Sequence, residues 1–344
     1  MTWVDCYTHV APPAYFAWLR DHAPNPGQLR RWLELDTLWD LDARFRLMDA
    51  LGDYRQVLTL SMPPIELLAR GDQARDLARR ANHGMADLVS RHPDRFAHFV
   101  AAVALDDVAG AIACLDEAVD HLGAIGVQIP SQVRGTALDH PDFLPFFAEA
   151  HRRSLPIWLH PARGADMPDY RSEARSKYEI WWTFGWPYET SAAMARLVLS
   201  GLFDRLPGLI VIAHHLGATI PYLEGRLDSG LESIGSRTAP EDTDLLAAEL
   251  ERPVIDYFRE FHADTAVFGA KGALACGLSF FRDDRVMFGS DFPFDPEGGA
   301  RFVRLGRQHL EELVPERDRL AALSEGNLAR LAAGVRRVGS QAAQ

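Results

Sequence analysis

The chain has 344 residues, of which 47% are hydrophobic, which is enough for a large core and within the size range of an α/β barrel with insertions. Its formal net charge of −12 argues against a nucleic-acid-binding protein and against binding to anionic membranes. Three widely separated cysteines without a CxxC pair, and the lack of a leader-like segment or an apolar run of about 18 residues, predict a cytoplasmic protein without disulfides or membrane spans.

Short β-rich runs alternate along the chain with helical stretches rich in Ala, Leu and Arg, which is typical of βα units around a parallel sheet. Strands are predicted at residues 3–9, 56–61, 97–104, 126–129, 156–160, 209–214, 261–265 and 286–291. Helices are predicted at residues 41–51, 73–91, 108–122, 142–154, 192–206 and 269–281. Eight such units predict an α/β fold, a (β/α)8 TIM barrel forming one domain over residues 1–338, with a disordered tail at 339–344.

Two predicted connections are longer than usual, at residues 10–40 after the first strand and 161–190 after the fifth. Both follow the carboxyl end of a strand, where the active sites of barrels lie, so we expect them to form the roof and wall of one pocket. The second connection is rich in aromatic residues, namely Tyr170, Tyr178, Trp181, Trp182, Phe184, Trp186 and Tyr188. The alternative use of this aromatic cluster is a subunit interface, and the two uses can coexist.

Four predicted strands end on side chains that can bind a metal or transfer a proton: His9, His160, the pair His214 and His215, and Asp291. Because the carboxyl ends of barrel strands meet at one face, these side chains are expected to converge at the mouth of the barrel. Imidazole nitrogens and a carboxylate suit a divalent cation. A lone histidine at a strand end is more often a packing residue, but repetition over four strands favours a shared, metal-assisted site.

Side-chain alternation makes a further prediction for the first strand, because alternate residues of a strand face the same side. Asp5, Tyr7 and His9 are expected to share the face that points into the barrel. Cys6 and Thr8 are expected to share the opposite face.

The order and spacing of these motifs resemble the amidohydrolase superfamily, and within it the branch similar to aminocarboxymuconate-semialdehyde decarboxylase and the dihydroxybenzoate decarboxylases. The resemblance runs from about residue 3 to residue 335. It is carried by residues 5–9 with Pro12 and Pro13, the strand at 126–129, residues 156–161, residues 215–217 with Pro221 and 224–226, and residues 288–293. Each motif is modest alone, and their combination is specific.

The resemblance implies that His9, His160 and Asp291 are metal ligands, with Zn²⁺ as the expected ion and Mn²⁺ or Mg²⁺ as alternatives. It also implies that His215 contacts the substrate or assists proton transfer. Asp291 is expected to handle the proton as well, since a carboxylate beside a cation can exchange protons with water or substrate.

The two adjacent histidines leave an alternative open. Because neighbours on a strand face opposite sides, only one of His214 and His215 is expected to point inward. The spacing back from Pro221 favours His215, and His214 remains the second choice for contact with the substrate.

The chain departs from the family pattern at Tyr7, where the first strand usually presents a second ligand, His or Glu. A phenol is a weak ligand unless it is ionised, and with an ordinary pKa of roughly 10 it ionises at neutral pH only beside a strong positive charge. Three alternatives follow: three protein ligands plus water or substrate, a metal-bound tyrosinate, or a site without a metal. Tyr7 is also a candidate for a hydrogen bond to the substrate or to a metal-bound water.

Further residues are candidates for binding the substrate. Arg163, just after the fifth strand, is placed to bind a carboxylate bidentately, with a surface salt bridge as its alternative role. Gln128, in the fourth strand, is either a hydrogen-bonding residue or a structural one. Trp182, Trp186 and Tyr188 are candidate walls for a flat ligand, with packing within the long connection as their alternative.

The leading functional hypothesis is a metal-dependent, non-oxidative decarboxylase, a carbon–carbon lyase acting on a small aromatic or unsaturated cyclic carboxylic acid. A Lewis acid and a proton carrier also serve hydrolysis of a lactone or amide, which is the first alternative. The second alternative is a catalytically silent ligand-binding barrel, motivated by the departure at Tyr7. The expected partner is a small-molecule substrate, with no nucleic acid or membrane, and the resemblance implies a homodimer.

Overall fold

The structure, a computed structural model, describes residues 1–22 and 26–338. The tail predicted at 339–344 lies outside the described residues. Within these ranges eight parallel strands, numbered β1 to β8, form the framework. Their bounds are Trp3–Val10 (β1), Tyr54–Leu60 (β2), Phe96–Phe99 and Ala101–Ala102 (two segments of β3), Val127–Pro130 (β4), Ile157–His160 (β5), Val211–Ala213 (β6), His262–Asp264 (β7) and Val286–Met287 (β8).

Backbone hydrogen bonds close these strands into a barrel. Strands β1 to β3 pair in order, the second segment of β3 pairs with β4, and β5 to β8 follow in order. The ring closes between β8 and β1, where the N–H of Cys6 donates to the Phe288 carbonyl at 2.8 Å and that of His9 to the Phe292 carbonyl at 2.7 Å. The predicted (β/α)8 barrel is therefore confirmed, and its carboxyl ends gather on one face.

Helices surround the barrel, and none in the described part of the chain combines the length and apolar character needed to cross a membrane. A small antiparallel hairpin, Gln132–Val133 with Thr136–Ala137, follows β4. The helices are Pro13–His22 (α1), Pro26–Glu34 (α2), Leu41–Leu51 (α3), Ile65–Leu68 (α4), Gly71–Arg91 (α5), Val108–Asp120 (α6), Leu144–Arg152 (α7), Ile180–Thr183 (α8), Gly185–Leu199 (α9), Leu202–Arg205 (α10), Glu224–Leu227 (α11), Val254–Glu260 (α12), Lys271–Phe280 (α13), Ala300–Leu313 (α14), Arg317–Ala321 (α15) and Asn327–Gly334 (α16).

The short helices α4, α8, α11 and α12 are not among the predicted ones, and the helices differ from the prediction in three further places. The helix predicted at 192–206 begins earlier, at Gly185, and is interrupted at Gly201, whose left-handed φ of 72° separates α9 from α10. The first long connection contains α1 and α2, which begin at Pro13 and Pro26, because proline suits the first helical position. Helices α14 to α16 follow the last strand and are not among the ranges predicted from the sequence.

An apolar cluster fills the inside of the barrel. It consists of Val4, Cys6, Tyr7, Val57, Val100, Ile125, Trp158, Ile212, Met287 and Leu328. The buried Trp158 indole donates to the Cys6 carbonyl at 3.0 Å. A Cβ at Gly126 would lie 2.1 Å from the Trp158 ring, so the lack of a side chain there leaves room for the indole. The interior below the strand ends is therefore packed with side chains.

Strand β1 does not keep the alternation expected from its sequence. Its pairing with β2 shifts register between Asp5 and Thr8, as in a β-bulge, and Cys6 and Tyr7 both join the interior cluster. Asp5 accepts hydrogen bonds from the Tyr54 hydroxyl and from Ser290. The prediction that Cys6 faces away from Tyr7 was therefore wrong, because a bulge resets which residues share a face.

Candidate metal centre

Three histidines from different strands meet at the carboxyl face of the barrel. His9 lies near the end of β1, His160 ends β5, and His214 directly follows β6. One potential ligand atom from each lies within 4.8 Å of the others, and all three residues are buried. His214, His215 and Asp291 form a second group within the same limit. The residues predicted from the strand ends therefore lie close together.

Hydrogen bonds at Nδ1 fix the orientation of the three rings. Nδ1 of His9 lies 3.2 Å from the Leu60 carbonyl, and Nδ1 of His160 lies 2.6 Å from the Pro161 carbonyl. Because a carbonyl only accepts, each Nδ1 carries the proton, and Nε2 of the neutral ring is left as a lone-pair donor. Nδ1 of His214 lies 2.5 Å from Asp264 Oδ2. Such carbonyl and carboxylate partners are typical behind metal-binding histidines.

The atoms facing the centre fit a divalent cation. Nε2 of His9 and Nε2 of His214 are buried and have no hydrogen-bond partner among the described residues. Asp291 Oδ1 lies 3.1 Å from the first of these atoms and 3.4 Å from the second. Buried polar atoms rarely lack partners, and a mixed set of imidazole nitrogens and carboxylate oxygen is one that Zn²⁺ and Mn²⁺ bind. The buried cluster of histidines around Asp291 therefore fits a divalent cation.

Asp291 reaches the centre through an unusual backbone. Its φ is 63°, a left-handed value that costs a non-glycine residue about 1–3 kcal/mol, and the next residue, Phe292, rejoins the barrel by a bridge to Thr8. Burial raises the pKa of Asp291, but the facing side chains of His214, His215 and His9 outweigh it and hold the pKa well below its usual range. The side chain is therefore a carboxylate.

Both adjacent histidines reach the site, so the prediction that only one points inward was wrong. Strand β6 ends at Ala213, and His215 has a left-handed φ of 56°, which breaks the alternation of a strand. Nε2 of His215 lies 3.7 Å from Asp291 Oδ2, close to the 3.4 Å between His214 and the other carboxylate oxygen. The two rings lie 3.8 Å apart.

The two histidines differ in charge state. Burial lowers the pKa of His214, but the charge and hydrogen bond of Asp264 outweigh burial and raise the pKa to about 9. Burial, together with the neighbouring His214, lowers the pKa of His215. Asp264 ends β7 as the other site residues end their strands, and it is not among the site residues predicted from the sequence.

Tyr7 is a neutral phenol in this structure. Its ring stacks on His214 with centroids 3.9 Å apart, and its hydroxyl donates to Gln128 Oε1 at 3.3 Å. Burial, with the nearby charges of Asp264 and Asp291, raises the pKa of Tyr7 well above its usual value. The Gln128 amide donates in turn to the Leu60 carbonyl at 3.0 Å, the same carbonyl that His9 contacts.

The aromatic connection covers the centre from the β5 side. The Trp186 ring meets the His160 ring edge to face at 5.6 Å, and its indole donates to the Arg163 carbonyl at 2.9 Å. Trp182 packs against Trp186, with ring centroids 6.4 Å apart. Tyr188 is 66% exposed, so its ring faces solvent rather than the histidines.

Arg163 and its neighbours organise the segment after His160. The Arg163 guanidinium donates to the carbonyls of Met167 and Pro168, so in this conformation it braces the connection. Glu189, which the sequence analysis did not single out, accepts hydrogen bonds from the backbone N–H groups of Ala162 and Arg163 at 2.8 and 2.6 Å. Its position in α9 carries no sequence signal for this role.

Known proteins match this chain over most of its length. A family profile described as amidohydrolase matches residues 4–332. The gamma-resorcylate decarboxylase of Rhizobium radiobacter is 32% identical over 277 residues, covering 78% of this chain and 82% of that protein.

Two solved structures have the same fold and a related sequence. The 5-carboxyvanillate decarboxylase from Sphingomonas paucimobilis has a TM-score of 0.80 at 25% identity, covering 96% of this chain and 99% of that one. The dihydroxybenzoic acid decarboxylase from Polaromonas sp. JS666, solved with manganese and the inhibitor 2-nitroresorcinol, has a TM-score of 0.76 at 26% identity, covering 96% and 97%. These similar proteins are decarboxylases.

Proposed function

This chain belongs to the amidohydrolase family, and on that premise we propose that it is a metal-dependent, non-oxidative decarboxylase of a small aromatic carboxylic acid. The observation that carries the proposal is the unpartnered Nε2 of His9, which lies 3.1 Å from the Asp291 carboxylate in a buried cluster of histidines. We propose His9, His160 and Asp291 as the ligands of the ion. The similar decarboxylases support the reaction type.

For the ion we propose Zn²⁺, with Mn²⁺ as the main alternative because the Polaromonas enzyme was solved with manganese. Two imidazoles and a carboxylate accept either ion. An ion held by His9, His160 and Asp291 would supply a Lewis acid for the oxygens of the substrate acid. Elemental analysis of protein purified without chelators tests this, and a metal content far below one per chain would contradict it.

The chain itself must place a proton on the ring carbon that loses CO2. We assign this step to His214, because Asp264 orients its Nδ1 and its Nε2 faces Asp291. A histidine oriented by a carboxylate is the usual arrangement for general acid–base catalysis. Asp291 exchanges the proton with His214, and His215, which has no such orienting partner, is assigned to contact with the substrate.

Burial around the site favours loss of CO2 over attack by water. His9, His214 and Tyr7 are fully buried, and Trp186 covers His160. Excluding water strengthens the electrostatic contacts of the site and opposes hydrolysis. Arg163 and Gln128 remain candidates for contact with the substrate, with Trp182 and Trp186 as walls.

A substrate panel tests the reaction type. Hydroxybenzoates and related acids, among them 2,6-dihydroxybenzoate and 5-carboxyvanillate, are incubated with the metal-loaded protein, and CO2 release is measured beside hydrolysis of lactones and amides. We expect CO2 from at least one acid. Turnover confined to the lactones or amides would overturn the proposal.

We further propose a cytoplasmic homodimer. Five aromatic side chains, each at least 66% exposed, support an interface: Tyr170, Tyr178, Phe184, Tyr188 and Tyr222. Exposed apolar clusters are typical of interaction surfaces. The three cysteines are free thiols, which agrees with a reducing compartment. Light scattering during size-exclusion chromatography tests the dimer, and a monomeric mass at micromolar concentration would contradict it.

A further inference from the structure

A small cavity lies against the metal centre on the side of strands β2 to β4. His160 and Gln128 line it on the side of the centre, and Glu66 of α4 lines it as well. Mostly apolar residues of β2 to β4 and of the segment after β2 form the remaining wall. The cavity of about 20 Å³ has room for one water-sized polar group. It therefore suits a substituent of a ligand rather than a whole ring.

Glu66 is buried with half of its carboxyl group unused. Oε1 accepts the backbone N–H of Leu105 at 2.7 Å, whereas Oε2 is buried without a hydrogen-bond partner among the described residues. Leaving such an acceptor unsatisfied costs about 1–3 kcal/mol. The hydrogen bond from Leu105 connects the segments that follow β2 and β3, and Oε1 alone accepts it.

The nearest cation does not neutralise this carboxyl group. Arg134 donates to the backbone carbonyls of Glu66 and Ala69 and to the side chain of Asp106. Burial raises the pKa of Glu66 to about 7, the Leu105 hydrogen bond opposes this, Asp106 adds to the rise and Arg134 opposes it. Above that pH the unpartnered oxygen is a strong acceptor on a residue that lines a cavity with room for one donor.

We propose that Glu66 is a specificity-determining residue whose free oxygen accepts a hydrogen bond from a ring hydroxyl or amino group of the substrate. This inference rests on the proposed function, because the cavity shares His160 and Gln128 with the metal centre, where the carboxylate of the acid is held. A substituent that only accepts hydrogen bonds, such as methoxy, leaves Glu66 unsatisfied and is disfavoured. Sites built to bond a polar group discriminate more strongly than apolar pockets do.

The test is Glu66→Gln at pH 8.5, above the pKa of about 7, where the native side chain is a carboxylate. Glutamine keeps an oxygen for Leu105 and replaces the free acceptor by an NH₂ donor. The metal-loaded wild type and variant are compared on an accepted acid and on its methoxy analogue. We expect the ratio of kcat/KM between hydroxyl and methoxy forms to fall at least tenfold. An equal change for both substrates would reduce Glu66 to a structural residue and overturn the proposal.

Asp106→Asn is the matched control. It removes one negative charge near Glu66 without touching the cavity, since Asp106 pairs with Arg134 at 3.2 Å. The hydroxyl to methoxy ratio should stay within about twofold of wild type. A shift as large as that of Glu66→Gln would assign the preference to general charge and overturn the proposal. If Glu66→Gln is unstable, Glu66→Asp replaces it in the same test, because the side chain that carries the acceptor is then one methylene group shorter.

Binding separates failure of this inference from failure of the proposed function. Calorimetry with resorcinol and 1,3-dimethoxybenzene measures the preference without any turnover. We expect the wild type to prefer resorcinol and the Glu66→Gln variant to lose that preference, even if no acid releases CO2. Equal affinity of the wild type for the two probes would overturn the subsite and leave the decarboxylase proposal intact.

Discussion

The two sides of the metal centre are built differently. On the β1–β8 side, the buried Arg44 donates to the His9 carbonyl at 2.8 Å and to Gln56 at 2.7 Å, and Asp5 bonds Tyr54 and Ser290. On the β5 side, His160 is followed by the aromatic connection at 161–190, much of which is exposed. His9 therefore rests on a buried framework, whereas the cover over the site lies on the surface.

The largest effect is expected at Asp291, which is proposed both to bind the metal and to take part in proton transfer. Asp291→Asn keeps the shape but removes the charge that faces His9 and His214. We expect kcat/KM for CO2 release to fall roughly 10³-fold, with reduced metal content by elemental analysis. The exposed Asp284→Asn is the control. Near-normal turnover in the Asp291 variant would show that the framework does not supply the reacting groups.

Arg44→Met tests the buried framework on the β1–β8 side without changing a side chain of the metal centre. The change leaves the carbonyl of His9 and the side chain of Gln56 without a buried donor. At about 1–3 kcal/mol for each, we expect the free energy of unfolding to fall by roughly 3 kcal/mol or more. Urea denaturation of the metal-free protein measures it, beside the exposed Arg46→Met on the same helix. Equal stability of the two variants would remove the contrast between the two sides.

Asp264→Asn sharpens the assignment of the proton donor. The acid form of His214 exists below its pKa of about 9, so the proton donation lapses as pH rises through that value. Removing Asp264, the main cause that raises this pKa, should move the alkaline limb of the kcat profile to lower pH. We also expect kcat to fall about 10²-fold. If His215→Gln reproduces both changes and Asp264→Asn neither, His215 is the donor.

A smaller effect is expected at Tyr7. Because its neutral hydroxyl bonds Gln128 at 3.3 Å, Tyr7→Phe should lose about 1 kcal/mol, which is less than tenfold in kcat/KM. The metal content should be unchanged. A loss of about 10²-fold together with lost metal would instead identify Tyr7 as a ligand.

The smallest effects are expected in the aromatic cover. Tyr188→Ser should change kcat/KM by less than about threefold, because the ring is exposed and away from the histidines. Trp186→Leu, which opens the contact with the His160 ring, should lower kcat/KM about tenfold. Steady-state kinetics compares the pair. If Tyr188→Ser costs as much as Trp186→Leu, the exposed part of the connection also contacts the substrate.

Sequence predicted the features that follow from regular strands. Apolar runs ending on His9, His160 and Asp291 identified the barrel and the convergence of these residues, because strand ends of a barrel share one face. Their roles as ligands stay predictions.

Features that depend on irregular backbone could not be predicted in this way. The bulge in β1 and the left-handed His215 both break the alternation on which the prediction of facing rested. Glu66 and Glu189 accept hydrogen bonds from backbone N–H groups of loops that are distant in sequence. Tertiary packing sets the course of these loops, so the residues around each glutamate do not predict the contact.

The packed interior of the barrel limits the route by which substrate enters and products leave. Trp158, Met287 and Leu328 fill the interior of the barrel, so the opening left for the acid, its ring product and CO2 is the carboxyl face, where Trp186 packs on His160. Entry of the next substrate must then wait for departure of the previous product. Side chains at that opening, Trp186 first among them, therefore influence the rate of product release as well as the choice of substrate.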